Sequence, residues 1–242
     1  MPQLSNRVAL ITGASTGIGR AIAGAYAAEG ARLVLAARHA DKLEAAAEEI
    51  RRAGGEARAI PADITNEGQV ARLFEQTLAA HGRLDILVNN AGISVTVPTE
   101  DLDLADWRRV METNVTGAFL CSRAAFAIMK KQHGGRILNI GSVAAQVSRP
   151  HSAAYTTSKF ALDGLTRSLA LDGRAHGIAV SILHPGNTVS EIWGDQEEGQ
   201  REGMMSASDV ARVAVMIASL PATTNLLEST MLPLTMPFLG RG

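Results

Sequence analysis

With 242 residues, 46% of them hydrophobic and 19% charged, the chain can build a large core, which excludes a disordered or low-complexity protein. Its 23 Lys and Arg against 24 Asp and Glu leave a net charge of -1, without the basic excess that nucleic acid or an anionic membrane surface requires. A single cysteine, Cys121, excludes an intrachain disulfide and a thiolate metal cluster, and its helical apolar surroundings mark it as a core residue.

The N-terminal stretch MPQLSNRVALITG has no long apolar run behind a basic region, so no signal peptide is expected. No segment reaches the roughly 18 apolar residues of a membrane span, and the cytoplasm is the expected location. Short β-rich runs then alternate with longer helical patterns. Strands are expected at Val8 to Thr12, Arg32 to Ala37, Ala57 to Ala62, Leu84 to Asn90, Gly135 to Ser142 and Ala179 to Pro185, with a weaker seventh around Ser229. Helices are expected at Ile18 to Glu29, Asp41 to Ala53, Glu67 to His81, Leu104 to Gln132, Ala153 to His176 and Ser208 to Ser219. The strand runs are almost continuously apolar, as strands covered on both faces are. Strict alternation predicts a single α/β domain over 1–242, doubly wound around a mainly parallel, seven-stranded sheet with helices on both faces.

Such sheets bind ligands where the strands end, so the strand ends carry the reading. After the first strand, TGASTGIG puts Gly13, Gly17 and Gly19 in the turn that opens a helix. Gly13 permits the tight turn, Gly17 a close approach to a pyrophosphate, and Gly19 helix–strand packing. The helix N-terminus offers unpaired N–H groups to the phosphates. At the second strand end, where an acidic residue would hold the ribose hydroxyls of NAD, the chain has Ala36, Ala37 and then Arg38. A guanidinium there suits the 2′-phosphate of NADP(H), with Thr16 as a further donor; pairing of Arg38 with Asp41 is the competing reading. Asp63, with the Ile64 backbone, can accept from an adenine amino group or begin a helix cap. The fourth strand ends at Asn90, Ala91 and Gly92, small enough for backbone to run beside a ribose and nicotinamide. Tyr155 and Lys159 stand four apart on one helical face, as a half-buried snorkelling pair would and as an acid–base pair would.

The motifs TGASTGIG, NNAG, NVTG, GS, YTTSK and HPG occur in this order over nearly the whole chain, which resembles a ketoreductase-like short-chain dehydrogenase/reductase with a Rossmann-type fold. The resemblance implies four catalytic residues. Asn114 kinks a helix and holds a water, Ser142 hydrogen-bonds the substrate carbonyl, Tyr155 exchanges the proton, and Lys159 is its partner and a ribose contact. It adds Ser15, Ile18, Pro185, Gly186, Thr188 and Ser190 to the cofactor contacts, with Thr188 and Ser190 in place of the commoner Val and Thr, and it implies pro-S hydride transfer. A cation within about 4–6 Å of a phenol lowers its pKa from about 10, so Lys159 is expected to bring Tyr155 toward working pH. The six histidines show no paired spacing, and a metal-free mechanism is expected.

Substrate choice falls to Ser142, Val143, Val147, Tyr155, Asn187, Trp193 and Met204, with His151 and Met205 nearby and a substrate loop at about 190–207. Their neutral character points to a small or medium, neutral or aromatic ketone or its alcohol. The tail at about 226–242 lacks the family's Gly-Gly, carries Pro233 and Pro237, and is apolar enough to expect burial against another subunit. The expected protein is an NADPH-dependent ketone reductase, reversible as an alcohol dehydrogenase, working as a homodimer or homotetramer without nucleic-acid or membrane partners. A 3-oxoacyl-[acyl-carrier-protein] reductase-like enzyme and a non-catalytic NADP(H)-binding redox sensor are the alternatives.

Overall fold

The computed structural model describes residues 2–189 and 202–238. Seven strands form one sheet: β1 (Val8–Thr12), β2 (Arg32–Ala37), β3 (Glu56–Pro61), β4 (Ile86–Asn89), β5 (Gly135–Ile140), β6 (Ile178–Pro185) and β7 (Glu228–Met231). Their order is β3-β2-β1-β4-β5-β6-β7, and every neighbouring pair is parallel rather than mainly so. The chain winds outward from β1 to β3, then returns to the other side of β1 to lay down β4. This reversal opens a crevice at the carboxyl ends of β1 and β4, where adjacent crossovers diverge.

Alternation along the strands sends neighbours to opposite faces. In β1, Ala9 and Ile11 join one core with Ile22 and Tyr26 of α1 (Gly17–Ala28), Leu43 and Ile50 of α2 (Ala40–Arg52), and Val210 and Ala214 of α7 (Ala207–Ser219). Leu10, between them, joins the other core with Leu73 and Phe74 of α3 (Glu67–His81) and Leu120, Cys121 and Met129 of α5 (Gly117–Lys131). Two-sided burial explains the near-continuous apolar runs. Cys121 is fully buried, and its thiol is pushed up to about 12 by burial, so it acts as packing.

Two helical boundaries differ from expectation. The continuous helix expected from Leu104 to Gln132 is divided into α4 (Leu104–Met111), a π-helical turn over Glu112–Thr116, and α5. The wide turn places Asn114 inward, where its amide bridges the Ile93 backbone and Ser158. The helix expected to reach His176 ends as α6 (Ala153–Gly173), followed by a 3-10 turn at Arg174–His176 and the left-handed Gly177. Gly173 is already pressed against the Ile178 carbonyl as the chain turns into β6.

The first part of the apolar tail is β7, which completes the sheet edge beside β6. Pro233 and Met236 then pack against Gly186, while Leu234 is fully exposed. The described part of the tail is thus folded onto its own sheet, with Leu227 and Leu234 left exposed.

Candidate active site

The crevice has a volume of about 470 Å³ and runs from the β2 end to the β6 end. Gly13 and Gly17 line it at φ +63 and +53, in the left-handed region that glycine occupies without strain. Gly19 faces away: a Cβ there would collide with the Gly13 carbonyl oxygen and the Asn90 amide. Its smallness lets α1 pack onto the turn, as the spacing suggested. The N-cap of α1, Thr16, makes no side-chain cap bond, so the first N–H groups of the helix face the crevice without that partner. Ser15 and Ile18 complete this wall.

The turn is fastened from the β4 end. Asn90 donates from Nδ2 to the carbonyls of Thr12 and Gly13 at 3.1 and 3.0 Å. Thr12 Oγ1 accepts from the N–H groups of Asn90 and Ala91 at 3.1 and 3.2 Å. Thr12, buried and not expected as a site residue, therefore holds the glycine turn against the β4 end.

At the opposite wall, Arg38 is exposed at the crevice edge, and no ion pair to Asp41 forms among the described residues. His39 and Lys42 stand beside it and were not expected; their signal is their place at the start of α2, directly after the β2 end. Asp63 Oδ1 accepts from Thr65 N–H and Oγ1 at 2.9 and 2.8 Å, while the α3 cap is Asn66. Asp63 and Ile64 thus line the crevice from a turn rather than a helix cap, with Ala91 and Gly92 opposite.

The β5 and β6 side of the crevice gathers Ser142, Tyr155 and Lys159, with Pro185, Gly186 and Thr188. Ser142 ends the loop after β5 and caps a 3-10 turn, its Oγ accepting from Ala144 N–H at 3.1 Å. Lys159 is buried on α6; its Nζ donates to the Ile140 carbonyl at 2.9 Å and lies 5.5 Å from the Tyr155 ring centroid. Burial lowers the ammonium to about 8. The Tyr155 phenol is raised above its usual 10, contrary to expectation, because its own burial outweighs the other effects. The Ser142 hydroxyl, rather than Lys159, supplies the opposing pull.

Asn114 is buried behind this surface and does not line the crevice; its Oδ1 touches the space beside Gly92 and accepts from Ile93 N–H at 2.8 Å. Ile93, Ser94, Arg109 and Thr113 line the crevice instead, the last two one helical turn apart just before Asn114. The expected substrate walls divide. Val143 is buried beneath the Ser142 loop and Val147 is half-exposed on it, outside the crevice lining. Asn187 is buried, with its amide tied to Arg149, Glu202 and the Gly203 carbonyl. Met205 is core, bridged to Thr188, and neither Met204 nor His151 reaches the lining. Ser190, Trp193 and most of the substrate loop lie outside the described residues.

These strand ends carry a glycine turn and a Ser–Tyr–Lys surface on a parallel seven-stranded sheet, the architecture of a dinucleotide-dependent oxidoreductase. The chain belongs to the short chain dehydrogenase family, whose pattern matches residues 7–201, and it is an oxidoreductase acting on CH–OH and C=O groups. It is 41% identical to a 3-oxoacyl-[acyl-carrier-protein] reductase of Synechocystis sp., over 79% of this chain and 78% of that protein. It is 34% identical to a D-threitol dehydrogenase of Mycolicibacterium smegmatis, over 90% and 87%. A metagenomic short-chain oxidoreductase solved in complex with NADP superposes with a TM-score of 0.85 at 36% identity, covering 96% of this chain and 98% of that one. Among the described residues, no helix is long and apolar enough to cross a membrane.

Proposed function

We propose that this protein is an NADPH-dependent ketone reductase, reversible as a secondary-alcohol dehydrogenase. The observation that carries the reading is the convergence of Ser142, Tyr155 and Lys159 on the crevice that also holds the glycine turn and Arg38. The residues suit NADP(H). Gly13 and Gly19 leave no room for a Cβ against the turn and Asn90, the first turn of α1 is free of a side-chain cap, and cationic Arg38 and Lys42 stand where the 2′-phosphate would lie. The cofactor, when bound, supplies the hydride.

The chain's own residues handle the carbonyl and the proton. Ser142 and Tyr155 donate hydrogen bonds to the carbonyl oxygen, stabilising the charge that grows on it. Tyr155, held protonated by burial, gives its proton to the developing alkoxide. Lys159, lowered to about 8, can carry a proton near working pH, and because it makes no direct bond to the phenol it would refill Tyr155 through a bridging hydroxyl or water. Asn114 sets the wall behind them through Ile93 and Ser158. Hydroxyl donors polarise the carbonyl, so the hydride step itself needs no metal.

A ketone panel followed by loss of NADPH absorbance tests the reading. Turnover of small neutral or aromatic ketones supports it, whereas NADPH binding without turnover on any ketone would instead support a redox sensor. The Synechocystis relative favours including 3-oxoacyl thioesters in the panel. Exposed Phe119 of α5 and Phe160 and Leu171 of α6 support assembly as a homodimer or homotetramer through these helices, and a solution mass of one chain would refute it. The reading keeps the cytoplasm as the location.

A further inference from the structure

Behind Ser142 lies a second group of residues that the hydride chemistry does not use. His184 on β6 is completely buried, and its Nε2 has no hydrogen-bond partner. That nitrogen faces two carboxylates from other elements: Asp163 Oδ1 of α6 at 3.9 Å and Glu228 Oε1 of β7 at 3.8 Å. All three ligand atoms lie within 4.8 Å of one another, and Asp163 Oδ1 is itself buried without a partner. We propose that Asp163, His184 and Glu228 form a binding site for a divalent transition-metal ion, with Zn²⁺ and Mn²⁺ the best matches to one imidazole and two carboxylates.

The surroundings have the outer shell such a site requires. Metal-bound imidazoles donate their other ring N–H to a carbonyl or carboxylate, which fixes the tautomer. His184 Nδ1 lies 2.9 Å from the Ser142 carbonyl oxygen and 3.2 Å from the Ser142 backbone nitrogen, and the Nδ1–H tautomer makes the first, shorter contact that bond. The same tautomer leaves a bare lone pair on Nε2 facing two anions, an arrangement a cation relieves. The carboxylates are also held from outside. Arg167 donates to Asp163 Oδ2 at 2.9 Å and to Glu228 Oε2 at 2.5 Å, while Gln146 donates to Glu228 Oε1 at 2.8 Å. Asp163 and Glu228 bring two negative charges to His184, offset by the Arg167 guanidinium and, from the other side, by the Lys159 ammonium. Ligands on one ion at about 2.0–2.2 Å are roughly 3–3.6 Å apart, so each carboxylate is within a few tenths of an ångström of the required distance from His184, and closure draws the two partly exposed carboxylates toward each other. Their exposure also gives an ion its way in. Bound there, the ion would tie α6, β6 and β7 together and, through Nδ1, steady the Ser142 loop without touching the substrate.

Chelator-treated whole protein, titrated with Mn²⁺ and followed by the paramagnetic resonance of free Mn²⁺, should show one site per chain. Zn²⁺ should compete for it, and either ion should raise the melting temperature. Asp163→Asn and Glu228→Gln, each checked for native circular dichroism without metal, should abolish saturable binding and the melting shift. No binding by the native chain, or binding unchanged in both variants, would overturn the proposal. So would a His184 imidazolium seen by nitrogen-15 resonance in metal-free protein with no displacement by Zn²⁺, because a proton would then be the cation the carboxylates hold.

Discussion

Lys159 Nζ lies 5.5 Å from the ring centroid of Tyr155, yet the hydrogen bond it makes is to the Ile140 carbonyl, at 2.9 Å. The pair is therefore coupled through space and anchored to the sheet, not joined by a direct bond. Both charged forms are disfavoured by burial, which raises the phenol and lowers the ammonium. A protonated phenol beside a readily deprotonated amine is the arrangement that carbonyl reduction calls for.

Tyr155→Phe removes the proton donor while leaving the ring's packing. Turnover should fall by about 10²–10⁴-fold, the usual contribution of a positioned acid. NADPH affinity, read by fluorescence titration, should change little because Arg38 and the glycine turn are untouched. Retained turnover would remove Tyr155 from the acid role.

Lys159 predicts a pH dependence of stability. Its folded value of about 8 lies below its ordinary 10.5, so the folded state binds fewer protons than the unfolded state between those values. The Lys159 contribution to the stability of the cofactor-free protein should therefore rise with pH across roughly 8 to 10.5, by about 3 kcal/mol at most, and decline as pH falls toward 8. The raised Cys121 thiol contributes in the opposite direction above about 9. Denaturant melts of the native chain and Lys159→Met across this window check the sign. The variant should lose this share of the slope, and an identical slope in both would place the titration elsewhere.

Arg38→Asp puts a carboxylate where the 2′-phosphate of NADPH would sit and where the ribose hydroxyls of NADH can be held. The ratio of kcat/KM for NADPH over NADH should drop by at least tenfold. An unchanged ratio would assign the phosphate to His39 and Lys42.

Gly19→Ala should be costly although it adds one methyl. The Cβ meets the Gly13 backbone, which cannot rotate away, and the Asn90 amide that fastens the turn. Overpacking of this kind costs about 1–3 kcal/mol, so the melting temperature should fall together with NADPH affinity. Gly24→Ala on the same helix has open space at its Cβ and serves as the matched control that should keep both.

Much of this architecture was readable one strand at a time. β1 and β2 fall where apolar runs meet glycine and arginine, because two-sided burial writes itself into consecutive residues. The glycine turn, Arg38 and the four-residue interval from Tyr155 to Lys159 are local signals of the same kind. The resemblance implied a kinked helix at Asn114, and Thr113, Asn114, Val115, Thr116 and Gly117 are weak helix formers, but the π form of the turn was not readable from them. What breaks the regular ladder is a set of bonds to Ile93 and Ser158, both distant in sequence. The burial of Asn187 and Met205 was not readable for a related reason: closeness to a loop in sequence says nothing about which side chains the fold turns inward.

The sequence by itself determined the class of fold and marked the glycine turn, Arg38 and the Tyr155–Lys159 pair, since each depends on neighbours within a turn or two of the chain. Only the tertiary structure decided how they titrate and what stands behind them. Burial, not the expected ammonium, governs the Tyr155 phenol. His184 meets Asp163 and Glu228 only because β6 runs between α6 and β7, and no spacing along the chain expresses a contact made by parallel packing.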